Sequence, residues 1–406
     1  MGNRRIVLVA TEFSTGGLGS YLGTVAEGLA SRGWEVHLLA TDRPGNLFVG
    51  TGKVFARHDV SGIPLSARKV RHTAQLLGRI GPDVILLNNA ALAHYTLPLI
   101  GAGVRPVAVL HSDDQRYYRT AALYQRRVFG WVAPSSCLAR RFLQSLPEGR
   151  RGRVRVIPHG VEARPRPTAG VRPRFREGGE ARNGVNVIFV GFLGRTKGTD
   201  LLPPIMRRVW SACPSARLTV VGEGPFREEA EAAFAAAESP ERWRFTGAVA
   251  RDEVARLLQE SDLLLLPTQL EGFGLTIPEA MLSGCVPVVS HLAGVTDEIV
   301  DSGRTGFLVD PADITGFANV VIRLAKDPVL RAACATAGRA DAELRFSTGR
   351  MLDAYEALFA QGDDRGRLRV RSMTGWAAES VREVLGRGLD ARWLARRVRE
   401  IVRHPG

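Results

Sequence analysis

The chain has few cysteines, few lysines and no long hydrophobic run. Its four cysteines lie far apart in the sequence of 406 residues, and no Cys-x-x-Cys pair occurs. This spacing argues against a disulfide framework and a zinc site, and it favours reduced thiols in the core. No run of about 18 apolar residues is present, and Met1–Arg5 lead straight into a strand-like segment, not into a signal sequence. We therefore expect a soluble, cytoplasmic protein.

Lysine is scarce, so the positive charge is carried by arginine. Only four of the 55 basic residues are lysines, and the net charge is +14. Residues 365–406 hold 11 arginines against four acidic residues, and 11 − 4 gives +7, half of the total. A charge excess concentrated in a tail does not indicate a nucleic-acid footprint on the main domains. Aromatic residues make up 7% of the chain and do not interleave with basic ones, so no nucleic-acid partner is expected.

Short apolar runs alternate with helical patterns through most of the chain, which predicts parallel sheets covered by helices on both faces. An Arg-, Pro- and Gly-rich stretch interrupts the pattern once. The predicted strands are Ile6–Ala10, Val36–Ala40, Val84–Leu87, Val107–Leu110 and Val154–Ile157 before the interruption, and Val185–Val190, Arg217–Val221, Arg242–Phe245, Leu263–Leu266, Val286–Val289 and Gly306–Val309 after it. We expect an α/β fold of two Rossmann-like, doubly wound domains that face a ligand-binding cleft, with a C-terminal helical extension.

The predicted boundaries divide the chain into five parts. The first domain spans residues 1–161, a linker spans 162–184 and the second domain spans 185–347. A helix at 348–361 either closes the second domain or crosses back to the first. Residues 362–406 form a basic helical tail.

The tail contains two short amphipathic segments, Trp376–Leu385 and Asp390–Arg403, with arginines on their polar faces. Packing of their apolar stripe onto the first domain is the favoured interpretation. The alternative is an interfacial helix on an anionic membrane, which would make the protein peripheral at the inner membrane face.

The most informative segment places Glu271 and Glu279 on either side of a glycine-rich turn that follows the apolar run Leu263–Leu266. Both carboxylates are therefore expected at the carboxyl end of a strand, where open α/β sheets bind ligands. Carboxylates accept hydrogen bonds from sugar hydroxyls, and the turn and the helix after it suit an anion. Thr276 and Glu279 also match a capping box, in which Glu279 would only bond back to the helix start.

Two further turns of the second domain suggest phosphate binding. Gly191–Gly198 ends a predicted strand and holds Arg195 and Lys197, which suit a diphosphate leaving group. The alternative is a solvated basic turn. Gly222–Pro225 repeats the strand-to-glycine turn before another helix, and it is also compatible with ordinary strand–helix packing.

The first domain offers two weaker candidates. Gly16 and Gly17 precede a predicted helix at Leu18–Ala30, whose start favours a pyrophosphate, although a purely structural turn stays open. His111 follows a predicted strand and is suited to contact a sugar or share a proton. Isolated histidines are more often structural, and Asp113 and Asp114 are suited to cap the next helix.

Together these motifs resemble the retaining nucleotide-sugar enzymes of glycosyltransferase family 4, which have the two-domain GT-B fold. Glu271–Glu279 is similar to the E-x7-E motif of that family, Gly191–Gly198 to G-R-L-x-x-x-K-G and Ile157–Glu162 to its P-N-G-V-D turn. The resemblance covers roughly residues 6–360. Phe192 departs from it, because the family usually has arginine there. Either Arg195 supplies the missing charge or the phosphate is bound more weakly.

The resemblance implies a role for each matching residue. Glu279 would hold the donor ribose, Glu271 the transferred sugar, Arg195 and Lys197 the diphosphate, and His111 a hydroxyl of the donor sugar. The catalytic candidates are thus His111, Arg195, Lys197 and Glu271. The donor-binding candidates are Gly16, Gly17, Arg195, Lys197, Gly222, Gly247, Val249, Glu271, Gly272, Phe273, Gly274, Leu275 and Glu279.

The same resemblance implies a retaining hexosyltransferase that needs neither a metal ion nor a cofactor besides its nucleotide-sugar donor. A UDP-sugar is favoured over a GDP-sugar. The acceptor is not identified; its pocket is expected in loops of the first domain around Thr11–Thr15 and Asn88–Tyr95. The sequence leaves the oligomeric state open.

Other functions are compatible with parts of the pattern. A nucleotide-sugar epimerase or a sugar phosphorylase can share the fold, but such a phosphorylase would need a lysine for pyridoxal phosphate, and none of the four lysines has a convincing cofactor setting. A non-enzymatic nucleic-acid-binding protein is the alternative from another class.

Overall fold

The computed structural model describes residues 4–14, 16–45, 55–101, 103–162, 184–236, 240–362 and 375–376. The chain forms two compact units. One comprises Met1–Pro158 together with Met351–Gly406, and the other comprises His159–Arg350. Each unit is built on one parallel sheet with helices on its faces, so the predicted doubly wound α/β architecture is confirmed.

The first unit contains a seven-stranded sheet in the order β3-β2-β1-β4-β5-β6-β7. Its strands are β1 (Arg4–Ala10), β2 (Trp34–Ala40), β3 (Ala56–Asp59), β4 (Val84–Asn88), β5 (Arg105–Val109), β6 (Gly130–Ala133) and β7 (Val154–Val156). Every neighbouring pair is parallel. The strand order reverses between β1 and β4, and ligands of such sheets bind at that point.

Helices cover both faces of this sheet. They are α1 (Gly17–Ser31), α2 (Ala67–Ile80), α3 (Ala91–Thr96), α4 (Gln115–Ala121), α5 (Ser136–Leu143) and α6 (Glu148–Arg151). Side-chain oxygens of Ser66, Asp114 and Ser135 accept hydrogen bonds at the starts of α2, α4 and α5. Asp114 is therefore a helix cap.

The second unit repeats the arrangement with six strands in the order β10-β9-β8-β11-β12-β13, all parallel. The strands are β8 (Asn186–Val190), β9 (Arg217–Val221), β10 (Trp243–Gly247), β11 (Leu263–Leu266), β12 (Val286–Ser290) and β13 (Phe307–Val309). The remaining helices are α7 (Leu202–Ala212), α8 (Arg227–Ala235), α9 (Arg251–Glu260), α10 (Thr276–Ser283), α11 (Ile314–Lys326), α12 (Pro328–Arg345) and α13 (Thr348–Phe359). The order reverses between β8 and β11.

Two strands of the first sheet are absent from the sequence prediction. Strand β3 reads Ala-Arg-His-Asp and is mostly exposed at the sheet edge, so it lacks an apolar run. Strand β6 is buried but has only four residues and begins with Gly130. Both sequences are too short or too polar to carry a strand signal by themselves.

Most of α13 belongs to the first unit. The hydroxyl groups of Tyr21 and Tyr355 are 2.7 Å apart in a buried contact between α1 and α13. Glu356 accepts a hydrogen bond from Trp34 Nε1 at 2.9 Å and pairs with Arg32 at 2.8 Å. The helix at the end of the second domain's sequence thus packs back onto the first sheet.

Of the tail, the structure describes Gly362, Gly375 and Trp376. Trp376 is fully buried in the first unit, and its Nε1 donates a hydrogen bond to Tyr95 O at 2.7 Å. The rest of the two predicted amphipathic segments, and most of the 162–184 linker, lie outside the described residues. Among the helices that the structure describes, none is long and apolar enough to span a membrane.

The buried residue His94 makes the first unit sensitive to acid. Its side chain is 2% exposed, its Nδ1 has no hydrogen-bond partner among the described residues, and burial lowers its pKa to about 3. In the unfolded chain a histidine binds a proton below about pH 6.5. The neutral folded form is therefore fully favoured above that pH and is progressively destabilised as the pH falls toward the folded value.

We expect His94→Gln to lose part of this acid sensitivity. Between about pH 7.5 and pH 5, the free energy of unfolding should fall by roughly 2 kcal/mol less in the variant than in the unmodified protein. Urea unfolding at both pH values measures the difference. His72→Gln, at an exposed position of α2, is the matched control. An unchanged pH dependence in His94→Gln would contradict the assignment.

Candidate active site

Lys197 and Glu271 meet where the strand order of the second sheet reverses. Lys197 follows β8 and Glu271 follows β11, the two strands that flank the reversal. Lys197 Nζ lies 2.5 Å from Glu271 Oε1, and the Glu271 side chain is only 7% exposed. A carboxylate this buried is stable as a charge only with a close partner, which Lys197 provides. A cation and an anion thus stand together at the ligand-binding edge.

Backbone contacts hold the loops of these two residues together. Gln269 N and Thr268 Oγ1 both donate to Thr196 O, at 2.9 and 3.0 Å. Gly198 has a φ of +71°, and a Cβ there would lie 2.0 Å from Pro267 O. Only glycine fits this position, because the loop after β8 runs directly against the loop after β11. The close approach places Lys197 beside Glu271.

The loop after β8 is also joined to the end of β9, and the loop after β9 is joined to the end of β10. Gly191 N donates to Val221 O at 3.0 Å, and Gly222 N donates to Gly247 O at 3.0 Å. A Cβ on Gly222 would lie 1.8 Å from Gly191 O, and its φ is +136°. The predicted turn at Gly222 is therefore required for the contact between neighbouring loops. The loops after β8, β9 and β11 and the end of β10 thus form one continuous edge.

Glu279 lies in the first turn of α10 and not in a capping box. The N-cap of α10 is Leu275, whose side chain makes no capping hydrogen bond, and Thr276 is already the first helical residue. A capping box needs a hydroxyl at the N-cap itself, so the reciprocal pair is not formed. Glu279 instead lines a small pocket with residues of α9, among them Arg251 and Val254.

The basic turn after β8 carries one exposed phenyl group and one exposed guanidinium. Phe192 is 56% exposed, at the position where the E-x7-E enzymes usually have arginine. The guanidinium carbon of Arg195 lies 5.4 Å from the centre of the Phe226 ring. Arg195 therefore lies at this edge, two residues before Lys197. We propose that its charge replaces that of the arginine for which Phe192 is substituted.

Gly16 and Gly17 form the start of α1 after β1. Gly16 is the N-cap with a φ of +108°, and its carbonyl accepts a hydrogen bond from Ser20 N at 2.8 Å. A Cβ added at either glycine would meet no atom within 4 Å. The start of this 15-residue helix is thus open on its outer side, which suits an anion.

His111 is oriented by Asn88, the first residue of a segment expected to form part of the acceptor pocket. Asn88 Nδ2 donates to Val9 O at 3.2 Å and to Leu86 O at 3.1 Å, so its Oδ1 faces His111 Nε2 at 3.0 Å. His111 Nε2 therefore carries a proton and donates it to this hydrogen bond. In the sequence, Asn88 can be recognised only as a polar residue at the end of the apolar strand β4.

Burial lowers the pKa of His111 to about 3, so the ring is neutral at physiological pH. The Tyr21 ring lies edge-on to it, with centroids 4.8 Å apart. A neutral imidazole in this setting can form hydrogen bonds but does not carry a positive charge. The neighbouring Asp113 accepts from Tyr118 OH at 2.9 Å and pairs with Arg141, and so has a structural role.

The candidate residues thus fall into two groups. On the second unit, the loops and helix starts after β8 to β11 bring together Arg195, Lys197, Gly222, Gly247, Val249, Glu271, Gly272, Phe273, Gly274, Leu275 and Glu279. Gly16, Gly17 and His111 belong to the first unit, where they follow β1 and β5.

Two family models match the chain. The model described as Glycosyltransferase Family 4 matches residues 15–164, and the model described as Glycosyl transferases group 1 matches residues 172–341. The first match falls on the first unit together with the residues that lead into the second. The second match contains Arg195, Lys197, Glu271 and Glu279.

Curated relatives include a GDP-mannose-dependent alpha-(1-6)-phosphatidylinositol monomannoside mannosyltransferase of Mycobacterium tuberculosis. It is 27% identical over 403 residues, which cover 89% of this chain and all of the relative. A 2-deoxystreptamine glucosyltransferase of Streptomyces kanamyceticus is 31% identical over half of each chain. The chain spans only 30% to 50% of the length of the first curated relatives that it matches.

Solved structures agree on the fold. Anabaena Alr3699/HepE in complex with UDP and glucose superposes with a TM-score of 0.74 at 20% identity, covering 88% of this chain and all of the other. Sucrose-phosphate synthase from Thermosynechococcus elongatus superposes with a TM-score of 0.70 at 20% identity, again over 88% and 100% of the two chains. With the family models matched on both units, the chain belongs to the glycosyltransferases of family 4 and has their GT-B fold.

Proposed function

We propose that the chain is a retaining hexosyltransferase that moves a sugar from a nucleotide-sugar donor to a hydroxyl group of an acceptor. The observation that carries this proposal is the pairing of Lys197 with the buried Glu271 at the strand-order reversal of the second sheet. Glu279 follows on the same edge in the first turn of α10. Cation, buried carboxylate and helix start are what a sugar diphosphate requires.

Lys197 is suited to serve two partners. An ammonium group has three N–H donors and no acceptor, so one can remain on Glu271 while others reach a phosphate oxygen. Breaking the bond between the sugar and the diphosphate develops negative charge on the leaving phosphate. A cation already fixed beside it lowers the barrier without further reorganisation. Arg195 would add forked hydrogen bonds to the same diphosphate.

Glu271 would act on the sugar side of the same bond. The sugar becomes positively charged as the bond breaks, and a carboxylate nearby stabilises that charge while it accepts a hydrogen bond from a hydroxyl group. Glu279 would hold the ribose of the donor. On the first unit, neutral His111 would form a hydrogen bond with a hydroxyl group of the donor sugar, and the open start of α1 would favour the diphosphate.

The finer assignments rest on the family. Retention of configuration follows its accepted picture, in which the acceptor attacks on the side that the phosphate leaves and the phosphate helps to remove the proton. Metal independence is proposed because Lys197, Arg195 and helix starts supply positive charge. UDP is favoured over GDP, although the names of the mycobacterial relatives specify GDP-mannose, whereas the Anabaena structures contain UDP or UDP-glucose.

A donor screen tests the proposal directly. The full chain is mixed with UDP-sugars or GDP-sugars, with and without candidate hydroxyl acceptors, and nucleotide release is measured in the presence of EDTA. We expect release from one donor class, faster with the true acceptor and unaffected by the chelator. Failure of every nucleotide sugar to bind in calorimetry would reject the function, and loss of activity in EDTA would reject metal independence.

Glu279→Ala should weaken donor binding by roughly ten- to a hundredfold, because a charged hydrogen bond to a ribose hydroxyl contributes about 1.5–3 kcal/mol. Calorimetry with the donor gives the dissociation constant. Thr276→Ala is the matched control, since it changes the start of α10 and leaves Glu279 in place. If Glu279→Ala lowers the melting temperature with donor affinity unchanged, Glu279 has only a role at the helix end.

Lys197→Ala should lower turnover by about a hundredfold, the cost of one preorganised charge-stabilising donor. Lys197→Arg should restore part of the rate, because a fork replaces a compact ammonium. Lys326→Ala, at an exposed position of α11, removes the same charge as a control.

Loss of the partner also leaves Glu271 buried and unpaired, so stability must be separated from catalysis. The double variant Lys197→Met with Glu271→Gln removes both charges and should regain much of the melting temperature without regaining activity. Near-normal turnover in Lys197→Ala would show that Lys197 does not contact the phosphate.

A further inference from the structure

Four of the helices that cover the first sheet carry charge of a single sign. Helices α2, α3, α4 and α5 contain seven arginines and one lysine, and none of these fully described helices contains an aspartate or glutamate. We call the arginines of these helices the arginine face. Its members are Arg68, Arg71, Arg79, Arg116, Arg119, Arg140 and Arg141.

These helices lie on the same side of the sheet. The chain moves in one direction from β3 to β7 through α2, α3, α4 and α5, and right-handed crossovers put such helices on one face. The core confirms this, because buried residues of all four helices pack with alternate residues of the central strands, such as Val7 and Val9 of β1 and Ile85 and Leu87 of β4. The arginine face is therefore one continuous layer.

All seven side chains of the arginine face are solvent-exposed. Arg116 and Arg141 pair with Asp114 and Asp113, which precede α4. The other five form no ion pair with another described residue. The lysine of α2, Lys69, is 4% exposed and donates to Thr41 O, so it belongs to the interior. Most of the layer's charge is thus directed to solvent without compensation.

The opposite side of the same sheet has no such excess of positive charge. It is covered by α1 and α13, which together contain Glu27, Asp353 and Glu356 against a single arginine, Arg350. Arg32 and Arg4 neutralise Glu356 there. If the arginines only reflected an arginine-rich composition, both sides of the sheet would be positively charged. The excess of positive charge is instead found on the side of the arginine face.

The basic tail approaches the fold at this same face. Trp376 is buried among the residues that α2 to α5 pack against, and it donates to Tyr95 O in α3. The sequence on both sides of this tryptophan, residues 365–406, carries a net charge of +7. Trp376, the described anchor of that basic sequence, therefore lies on the side of the sheet that the arginine face covers.

We propose that the arginine face docks the first unit onto an anionic membrane surface. Positively charged residues near such a surface are each attracted by its negative potential, and the attractions add over a broad layer. Here the charges are spread over α2, α4 and α5, with α3 in contact with both α2 and α4. A layer of this kind matches a plane of headgroups. Nucleic acid is less well matched, because the tyrosine and phenylalanine side chains of these helices are buried or half-buried and are not exposed for base stacking.

The proposal is independent of the proposed activity, because docking needs neither donor nor acceptor. The full chain is sedimented with vesicles of phosphatidylcholine alone or containing roughly 30 mol% phosphatidylglycerol, at about 50 mM and about 500 mM NaCl. We expect binding only to the anionic vesicles and only at the lower salt concentration. Absence of binding to the anionic vesicles would overturn the proposal.

Three triple variants with the same change in charge locate the surface. Arg71→Glu with Arg119→Glu and Arg140→Glu takes one exposed, unpaired arginine from each helix and should lower vesicle binding by about a hundredfold or more. Arg207→Glu with Arg208→Glu and Arg350→Glu alters exposed arginines of the second unit and should leave binding intact. Arg392→Glu with Arg396→Glu and Arg399→Glu alters the tail.

The outcomes are distinct. Selective loss in the α2–α5 variant supports the proposal. Equal loss in all three variants would indicate a general charge effect, and loss confined to the tail variant would assign the membrane contact to the tail; either result overturns it. Tight binding to a duplex oligonucleotide without vesicle binding also overturns it. If the triple glutamate variant of α2, α4 and α5 does not fold, Arg71, Arg119 and Arg140 are replaced by glutamine instead. Binding to the anionic vesicles should then fall at least tenfold.

Discussion

The backbone contacts between loops at the edge of the second sheet determine the rest of the candidate site. Gly222 and Gly198 allow neighbouring loops to approach so closely that peptide groups hydrogen-bond from one loop to the next. This brings Lys197, which follows β8, to Glu271, which follows β11, although they are 74 residues apart in sequence. The ion pair is therefore a consequence of glycine geometry, and the proposed chemistry rests on that pair.

The sequence predicted the fold well where both faces of a strand are buried. Leu263–Leu266 and Arg217–Val221 have the predicted bounds because continuous apolar runs are typical of parallel strands covered on both sides. Polar or very short strands, such as Ala56–Asp59, lack that signal. Their positions are determined by pairing with a neighbour, which no local pattern encodes.

The candidate site was predicted in part. Motif spacing placed Lys197 and Glu271 at the ends of strands, and parallel topology brings strand ends together. It did not predict that the two would pair directly, that Asn88 would fix the proton on His111, or that Thr276 would lie inside α10. These three features depend on the geometry of single side chains and of one helix end. The spacing of residue types in a motif does not determine that geometry.

Charge distribution is a second level at which sequence and structure differ. Along the chain, the arginines of α2, α4 and α5 are separated by strands and loops, and only the basic tail stands out. In the folded unit the crossovers collect them on one side of the sheet, opposite the acidic residues of α1 and α13. Right-handed crossovers thus bring arginines that are far apart in the sequence to one side of the folded unit.

The joined loops also bear on how such a site can diversify. Since the loops after β8, β9 and β11 share backbone hydrogen bonds, an insertion or deletion in one of them would displace its neighbours as well. Their lengths are mutually constrained. Changes of donor preference in a protein of this construction are therefore expected to arise from side chains that project from the joined edge, such as that of Phe192, with the backbone frame retained.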